Sequence, residues 1–411
     1  MTLRSPGLRL LWVLPYLPWP LSSGGKTRQY HLLRGLATRG HRITLLAQSK
    51  TPLDAAARAA LEPWLERLVV LPRRPVRHPL TLAAVAFARC PMLASINGFA
   101  PAARSAFATL LEESWDVIQL EHSYGCQPYL ELLESRRLPW ILTEHNLESA
   151  LGGATYGRLP AWLKGFARYD QGRYRRWERR VMGAADRIVA VTPDDARLLQ
   201  PLTARQISVV VNAVDTQFFA KVRPDSASQR LLFIGNYEYA PNLDAVEWLV
   251  AEIMPLLWRT HPRARLQIGG YAMPARWVRD FPDPRLEWCG YLPDLRDAQC
   301  RSALFIAPLR QGGGSKLKVL EALAAGLPVV STAQGVSGLA LRNKQEASLA
   351  EEAASLARAA ADLLGAPVGA ARMGEAGRAY VRAHHDWQTA ASQLEAVYQG
   401  LLPPKEHRPC A

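Results

Sequence analysis

The sequence has little cysteine and no paired cysteine motif. Its five cysteines are scattered and odd in number, and no two of them are spaced as Cys-x-x-Cys: Cys90, Cys126, Cys289, Cys300 and Cys410. This pattern argues against a disulfide framework and against a structural zinc site. We expect reduced thiols that are mostly buried.

Long apolar runs are also missing. No segment reaches the roughly 20 apolar residues that a membrane-spanning helix needs. The first apolar segment, Leu8–Leu14, is followed by Pro15, Pro18 and Pro20 and by no small-residue cleavage site, so we interpret it as a buried strand rather than a signal peptide. With 411 residues, 49% of them hydrophobic, the chain is long enough for two globular domains. We expect a cytoplasmic protein.

Several nucleotide and metal motifs are absent or incomplete. No Gly-x-Gly-x-x-Gly follows a predicted strand, which disfavours a nicotinamide oxidoreductase. The segment Ser22–Thr27 (SSGGKT) is half of a Walker A loop, but Pro20 stands where that motif needs its first glycine. Asp-x-Asp pairs and metal-ligand spacings are absent as well. We therefore expect no metal and no other cofactor.

Positive charge is in excess. The formal net charge is +14, and arginine is concentrated between Arg158 and Arg187, above all in Arg173–Arg180. Aromatic residues are interleaved with these arginines: Trp162, Phe166, Tyr169, Tyr174 and Trp177. Such a helix can lie on an anionic membrane surface, or it is simply a solvated basic helix. No nucleic-acid-binding module is recognisable, so nucleic acid is not expected as a partner.

Strands and helices alternate through two successive series. The strands of the first series are predicted at 8–14, 41–47, 68–71, 117–120, 140–143, 188–191 and 205–214. Those of the second series are predicted at 231–235, 265–268, 286–288, 304–307 and 328–331. The alternation predicts an α/β protein with two doubly wound parallel-sheet (Rossmann-like) domains facing across a cleft. We place the first domain at 1–219, a linker at 220–229 and the second domain at 230–384. Helices are predicted at 348–364, 369–384 and 387–401, and we expect the last segment, 385–411, to pack back on the first domain.

A glycine run before a short helix is the most informative stretch. Gly312, Gly313 and Gly314 lead through Ser315 and Lys316 into a helix that carries Lys318 and Glu321. A glycine-rich loop at a helix N-terminus presents free N–H groups that suit a diphosphate. A carboxylate one turn after Lys318 can hold a ribose diol. The alternative is a flexible loop followed by an ordinary solvated ion pair.

Candidate residues in the first half follow predicted strands. Gly24 and Gly25 open a helix and can present N–H groups to an anion, unless Ser22 or Ser23 caps that helix. His122 and His145 each come directly after a strand and a glutamate. A histidine at that position can hydrogen-bond a sugar hydroxyl or stabilise positive charge at an anomeric carbon, although a structural role remains the alternative.

These segments together resemble the retaining nucleotide-sugar glycosyltransferases of family 4, which have the GT-B fold. The resemblance rests on KLKVLEALAAGLPVVST followed by AQGVSGL, on LPWPLSSGGKTRQYHLLRGLATRGHRITLL, on ADRIVAVTPDDARLL, on VVVNAVDTQFF and on HDWQTAASQLEAVY. It implies that Glu321 binds the ribose hydroxyls and that His145 contacts the donor sugar near the reacting carbon. It also implies that Gly24 and Gly25 lie beside the diphosphate and the acceptor.

Two positions depart from the family pattern. Gly313 stands at the first glutamate of the Glu-x7-Glu motif, and Asn236 and Pro241 stand at the Arg-x4-Lys phosphate clamp. Lys316 and Lys318 are then the expected substitutes for the clamp. Because of these departures, a catalytically silent nucleotide- or glycan-binding protein on the same fold stays open as an alternative.

The resemblance implies a glycosyltransferase that moves a sugar from a nucleotide-diphosphate sugar to a hydroxyl acceptor with retention at the anomeric carbon. His145 and Lys318 are the expected catalytic residues, and Gly312–Lys316, Glu321 and Asn236 are expected to bind the donor. Gly24, Gly25 and His122 are expected beside the acceptor and the diphosphate. We expect a glycan or polyprenyl-linked acceptor of envelope or exopolysaccharide synthesis, and a protein located peripherally at the inner face of the plasma membrane.

Overall fold

A computed structural model describes residues 7–75, 78–136, 138–150, 164–312 and 317–402. The chain divides into two compact units. The first unit contains the residues up to Val211 and those from Ala390 onward, and the second unit contains Asn212–Thr389. Each unit is built on its own parallel sheet.

Seven parallel strands form the sheet of the first unit. The strands are β1 (Arg9–Leu14), β2 (Arg42–Ser49), β3 (Arg67–Pro72), β4 (Val117–Glu121), β5 (Trp140–Glu144), β6 (Arg187–Ala190) and β7 (Ile207–Val209). Their order across the sheet is β3-β2-β1-β4-β5-β6-β7. The order therefore reverses between β1 and β4, and it is outside the carboxyl ends of the strands at such a point that doubly wound sheets bind ligands.

Helices of the first unit cover both faces of this sheet. They are α1 (Gly24–Thr38), α2 (Ala55–Leu61), α3 (Pro79–Phe87), α4 (Met92–Asn97), α5 (Pro101–Leu110), α6 (Leu130–Arg136), α7 (Lys164–Ala184) and α8 (Pro193–Leu199). Single 3₁₀ turns are formed by Glu62–Trp64, Ser123–Gly125, Glu148–Ala150 and Gln200–Leu202. The central strands are covered on both faces, and every residue of β4 and β5 is buried.

Six parallel strands form the sheet of the second unit. They are β8 (Arg230–Asn236), β9 (Arg265–Tyr271), β10 (Leu286–Gly290), β11 (Leu304–Ala307), β12 (Val329–Ser331) and β13 (Ser348–Leu349). The order is β10-β9-β8-β11-β12-β13, so the reversal lies between β8 and β11. The predicted fold class, α/β with two doubly wound parallel sheets, is confirmed.

The helices of the second half complete the fold. They are α9 (Thr216–Phe219), α10 (Ala240–Trp248), α11 (Met254–Trp258), α12 (Trp277–Asp280), α13 (Arg296–Cys300), α14 (Leu317–Ala324), α15 (Ala353–Gly365), α16 (Pro367–His384) and α17 (Trp387–Leu401). A π-helical turn, Leu249–Ile253, joins α10 to α11, and Gln334–Val336 is a 3₁₀ turn. From Ala390 onward α17 belongs to the first unit.

The division of the chain differs from the predicted boundary at 219. Arg28 donates to the carbonyls of Val210 and Val211 at 2.8 and 2.9 Å, which attaches the chain to the first unit up to that point. Beyond it, Val214 N donates to His385 O at 2.8 Å within the second unit. The predicted linker, 220–229, also belongs to the second unit, since Val222 is buried in its core.

Two secondary-structure predictions were wrong. The strand predicted at 205–214 is confined to Ile207–Val209, because the carbonyls of Val210 and Val211 bond to Arg28 instead of a neighbouring strand. The helix predicted from Ser348 begins at Ala353, and Ser348–Leu349 is strand β13, paired with β12. Glu352 has an extended backbone and caps α15, which separates the strand from the helix.

A crowded glycine in β9 provides a stability prediction. Gly270 has φ +137°, and an added Cβ would lie 1.7 Å from the carbonyl oxygen of Gly235 on β8. We expect Gly270→Ala to lower the stability of the protein by about 2 kcal/mol or more, seen as a lower Tm. Gly365→Ala is the control, since nothing lies within 4 Å of an added Cβ there. Equal Tm values for the two variants would contradict this backbone account.

Candidate active site

Two neighbouring strands of the first sheet end in a glutamate followed by a histidine. Glu121 ends β4 and Glu144 ends β5, so His122 and His145 both lie at the carboxyl edge beside the order reversal. The two imidazole rings are 4.2 Å apart between centroids. The structure thus brings together the two histidines that the sequence singled out.

His145 takes part in a buried hydrogen-bond network. Its Nε2 lies 2.9 Å from Glu121 Oε2 and 3.1 Å from Gln29 Nε2, and Gln29 donates to the same carboxylate oxygen at 2.5 Å. Gln119 donates to Glu121 Oε1 at 2.5 Å. Burial lowers the pKa of His145 to about 3 and raises that of Glu121. The imidazole is therefore neutral at neutral pH and is held in one orientation.

Helix α17 supports this network from the far end of the chain. Tyr398 OH donates to Gln119 Oε1 at 2.5 Å, which orients the amide that bonds Glu121. Glu395 accepts from Arg39 Nε at 2.8 Å and lies 3.2 Å from His41 Nε2. Tyr398 thus helps to fix the Glu121 carboxylate through Gln119, a residue 279 positions earlier in the sequence than the tyrosine.

His122 has a left-handed backbone conformation, with φ +63°. The turn that follows is fixed by two buried contacts to Ser123: its N–H donates to Glu144 Oε1 and its carbonyl accepts from Trp177 Nε1, both at 2.9 Å. The His122 Nε2 atom lies 3.0 Å from Tyr16 OH. A non-glycine residue at positive φ persists only where its surroundings hold it, and such residues concentrate at ligand sites.

The N-terminus of α1 lies against the histidines. A Cβ added to Gly25 would be 2.8 Å from Tyr16 OH and 4.0 Å from His145 Nδ1, so a larger residue would displace Tyr16. Ser23 is the N-cap residue but makes no side-chain capping bond. Gly24 begins the helix and is exposed. The free N–H groups at this helix end are therefore available to an anion.

Arg28 and Gln29 were missed by the sequence reasoning. Both are almost fully buried, at 1% and 0% exposure, and both lie one turn after Gly24 and Gly25 on α1. Burial lowers the pKa of Arg28 to about 10, while the nearby Glu121 carboxylate opposes the change. Polar residues on the buried stripe of α1, in register with Gly25 and Leu32, were the available signal.

Lys318 lies at the carboxyl edge of the second sheet. Its ammonium group donates to Asn242 Oδ1 and lies 4.7 Å from the centroid of the Phe233 ring of β8. Asn242 in turn donates to the carbonyl of Asn236, the last residue of β8, at 2.6 Å. Pro241 is in the first turn of α10 and carries no charge. An asparagine of α10 and an aromatic ring of β8 thus orient the Lys318 ammonium group.

The glycine run is only partly within the described residues. Gly312 has φ +121°, and an added Cβ would lie 2.8 Å from Tyr239 OH, so glycine is required there. Its carbonyl accepts from Gln334 Nε2. Gly313, Gly314, Ser315 and Lys316 lie outside the described residues.

Glu321 follows Lys318 by one turn of α14 and is half-buried. Burial raises the pKa of its carboxyl group to about 7, and the positive charge of Lys318 opposes the change. Near pH 7 the group is therefore divided between its acid and its carboxylate form.

This pKa gives a pH prediction for donor binding. The carboxylate is the stronger acceptor for ribose hydroxyls, and protonation removes it as the pH falls through about 7. We expect the Kd of a nucleotide-diphosphate sugar to rise below pH 7, by at most about tenfold per pH unit because one proton competes. Calorimetric titration from pH 5.5 to 8.5 checks it. Glu321→Gln should bind more weakly and without this pH dependence; an unchanged pH dependence would contradict the role of Glu321.

Two family models identify the protein family to which this chain belongs. The family model "Glycosyltransferase Family 4" matches residues 22–218, and the model "Glycosyl transferases group 1" matches residues 228–366. This chain belongs to the family 4 glycosyltransferases. The predicted family is confirmed, and an enzyme is favoured over the catalytically silent binding protein that the sequence left open.

Similar proteins span nearly the whole glycosyltransferase chain. Glycogen synthase of Mycobacterium tuberculosis is 26% identical over 406 residues, with 95% of this chain and 94% of the relative covered. An uncharacterized 44.6 kDa protein in the cps region of Klebsiella pneumoniae is 21% identical over 347 residues, with 82% and 85% covered.

Solved structures show the same fold. Sucrose-phosphate synthase of Thermosynechococcus elongatus matches with a TM-score of 0.71 and 18% identity, over 96% of this chain and 99% of that chain. HepE of Anabaena, solved with UDP and glucose, matches with a TM-score of 0.66 and 13% identity, over 96% and 100%. The glycosyltransferase therefore has the GT-B architecture of these proteins. No helix among the described residues is long and apolar enough to cross a membrane.

Proposed function

We propose that this glycosyltransferase transfers a sugar from a nucleotide-diphosphate sugar to a hydroxyl group of a glycan or polyprenyl-linked acceptor, with retention at the anomeric carbon. The nucleotide diphosphate occupies the carboxyl edge of the second sheet, with Lys318 at the phosphates and Glu321 at the ribose. We propose that the reaction needs no metal ion. The observation that carries it is the oriented Lys318 ammonium one turn before Glu321 on α14.

The donor class is supported by charge and by the comparisons. Lys318 is the cation that Asn242 and Phe233 orient at the end of β8, and an oriented cation stabilises negative charge that develops on a departing diphosphate. HepE, which shares the fold, has been solved with UDP-glucose. The glycogen synthase relative is by its name a polymerising enzyme, which agrees with a glycan acceptor.

In the proposed reaction, the departing phosphate rather than a carboxylate of the first sheet takes the proton of the acceptor hydroxyl. The bond from the anomeric carbon to the diphosphate oxygen breaks, a bond to the acceptor oxygen forms, and the departing phosphate takes the acceptor proton. Glu121 is a poor base for this proton because it is 1% exposed and is already bonded to Gln29, Gln119 and His145. The neutral His145 ring contributes a hydrogen bond to the donor sugar.

A donor panel tests the proposal. Purified protein is heated with UDP-, GDP-, ADP- and TDP-sugars, and released nucleoside diphosphate is measured in parallel. A donor at 100 times its Kd adds about 2.7 kcal/mol to the apparent stability, which is a readily measured rise in Tm. We expect one nucleotide class to raise the Tm and to be hydrolysed slowly. No stabilisation and no hydrolysis by any donor would contradict the proposal.

We further propose that the protein works in the cytoplasm, at the inner face of the plasma membrane. Three apolar side chains of α3 are exposed: Leu80, Leu82 and Phe87 are 61%, 53% and 88% exposed. Leu80 and Phe87, seven residues apart, lie on the same face of the helix. Helix α7 contacts α3, since Arg173 donates to the carbonyls of Val85 and Ala88 at 2.9 Å. Tyr174 and Trp177 of α7 are buried. The residues of this helix that an anionic surface would contact are its exposed arginines: Arg168, Arg175, Arg176, Arg179 and Arg180.

Vesicle co-sedimentation at low salt checks this location. We expect binding to vesicles that contain phosphatidylglycerol and several-fold weaker binding to phosphatidylcholine vesicles, because each basic residue near an anionic surface adds about 1 kcal/mol. The double variant Leu80→Ser/Phe87→Ser should lose most of the binding. Val368→Ser, which removes an apolar side chain that is 69% exposed on α16, is the control. Equal binding to both kinds of vesicle would contradict an anionic membrane partner.

A further inference from the structure

A cavity of about 430 Å³ opens beside the carboxyl ends of the first strands of the first unit. Its wall includes Tyr16 and Trp19 after β1, Lys26 on α1, Lys50 after β2 and Arg73 after β3. This volume is in the range of small-ligand sites. Neither His145 nor the second unit lines it.

The cavity has an unbalanced positive charge. Lys26, Lys50 and Arg73 make no ion pair within the described residues, whereas Arg9, Arg58 and Arg136 of the same unit do. Asp54 is the acidic residue in the wall, and its carboxylate already accepts from Ala57 N at 2.7 Å as the cap of α2. The wall of the cavity therefore carries three positive charges and one negative charge, and the carboxylate that bears the negative charge already accepts a backbone hydrogen bond.

Two of these cations are partly desolvated. The Nε atom of Arg73 is buried and has no hydrogen-bond partner among the described residues. Lys26 and Lys50 line the same cavity. Burial lowers the pKa of Lys26, and the positive charge of Lys50 lowers it further. An anion between these groups would relieve their repulsion and satisfy the arginine.

Aromatic side chains define the remainder of the wall. Trp19 and Tyr16 line the cavity, and aromatic side chains of this kind can pack against the apolar face of a sugar. Tyr16 also joins the cavity to the candidate active site, because its hydroxyl lies 3.0 Å from His122 Nε2. A ligand in the cavity is thus separated from the histidines by one side chain.

We propose that this cavity binds an acceptor sugar that bears a negatively charged group, with Lys26, Lys50 and Arg73 at the anion and Trp19 at the sugar ring. The anion is a carboxylate if the acceptor is an acidic glycan and a phosphate if it is a lipid-linked sugar. This inference rests on the proposed transferase function, because it names the acceptor class of the same reaction.

Binding and footprinting on the full chain test the inference. The probes are methyl glucuronide against methyl glucoside, and glycerol 3-phosphate against glycerol, each measured by ligand-observed NMR. Acylation of lysines followed by mass spectrometry locates the probe: Lys26 and Lys50 should be protected, and the exposed Lys221 of the second unit should not. Tighter binding of the glucuronide indicates the carboxylate source, and tighter binding of the glycerol phosphate indicates the phosphate source.

Lys50→Gln is the decisive variant, because Lys50 is exposed and its loss leaves the core intact. We expect about tenfold weaker binding of the preferred anionic probe, and no change in binding of the neutral probe or in hydrolysis of the donor. Lys221→Gln should change nothing. Equal binding of anionic and neutral probes, or no effect of Lys50→Gln, would overturn the inference. If the unmodified protein were neither stabilised by any nucleotide-sugar donor nor able to hydrolyse one, the proposed function itself would be overturned instead.

Discussion

Replacing Lys318 with alanine is expected to lower turnover by about 10²-fold or more. In our account its ammonium group neutralises the charge that develops on the departing diphosphate. No metal ion and no Arg-x4-Lys clamp is available in our account to share that task, since Asn236 and Pro241 occupy the positions of the clamp. Steady-state kinetics with the donor selected by the panel measure the effect.

The control for Lys318 is a lysine of the same unit without such surroundings. Lys221 is exposed in the second unit, and Lys221→Ala should keep normal turnover. A Tm within a few degrees of the unmodified protein shows that each variant is folded. Near-normal turnover in Lys318→Ala would contradict the role of this residue in the leaving-group step.

His145→Ala is expected to lower kcat on the order of 10²-fold, with a smaller effect on donor affinity. The reason is the oriented, neutral imidazole: its pKa is lowered to about 3, and Glu121 and Gln29 hold its Nε2. A hydrogen bond that strengthens in the transition state raises kcat more than it tightens ground-state binding.

A structural role for His145 would give a different result. The variant would then lose stability and donor affinity while the remaining folded protein kept its kcat. Measuring Tm, donor Kd and single-turnover rate on the same sample separates the two. His384→Ala, at an exposed position on α16, is the matched control.

The fold was predictable because its signals are local and repeated. Parallel strands buried on both faces read as short apolar runs, and most predicted strands agree with the structure to within one or two residues. The exceptions depend on distant contacts. The strand at 205–214 was shortened because Arg28, about 180 residues earlier, takes its carbonyls. Ser348–Leu349 is a strand rather than helix because it pairs with β12, at the edge of the second sheet.

In the first unit, the sequence predicted the positions of the two histidines but not the residues that hold them. His122 and His145 could be placed because the carboxyl ends of neighbouring parallel strands lie at one edge of the sheet. Their partners could not be placed from spacing, since Gln29 comes from α1, Gln119 from within β4 and Tyr398 from the last helix. Asn242, which accepts a hydrogen bond from Lys318, could not be predicted either, because it lies on α10, 76 residues before the lysine in sequence.

The most direct test of the central claim compares how a nucleoside and its diphosphate bind to the unmodified protein and to Lys318→Ala. We expect the variant to lose about tenfold or more in affinity for the diphosphate while its affinity for the nucleoside stays the same, because only the phosphates would contact this cation. An equal loss for both ligands, or no loss for either, would contradict a diphosphate site at Lys318.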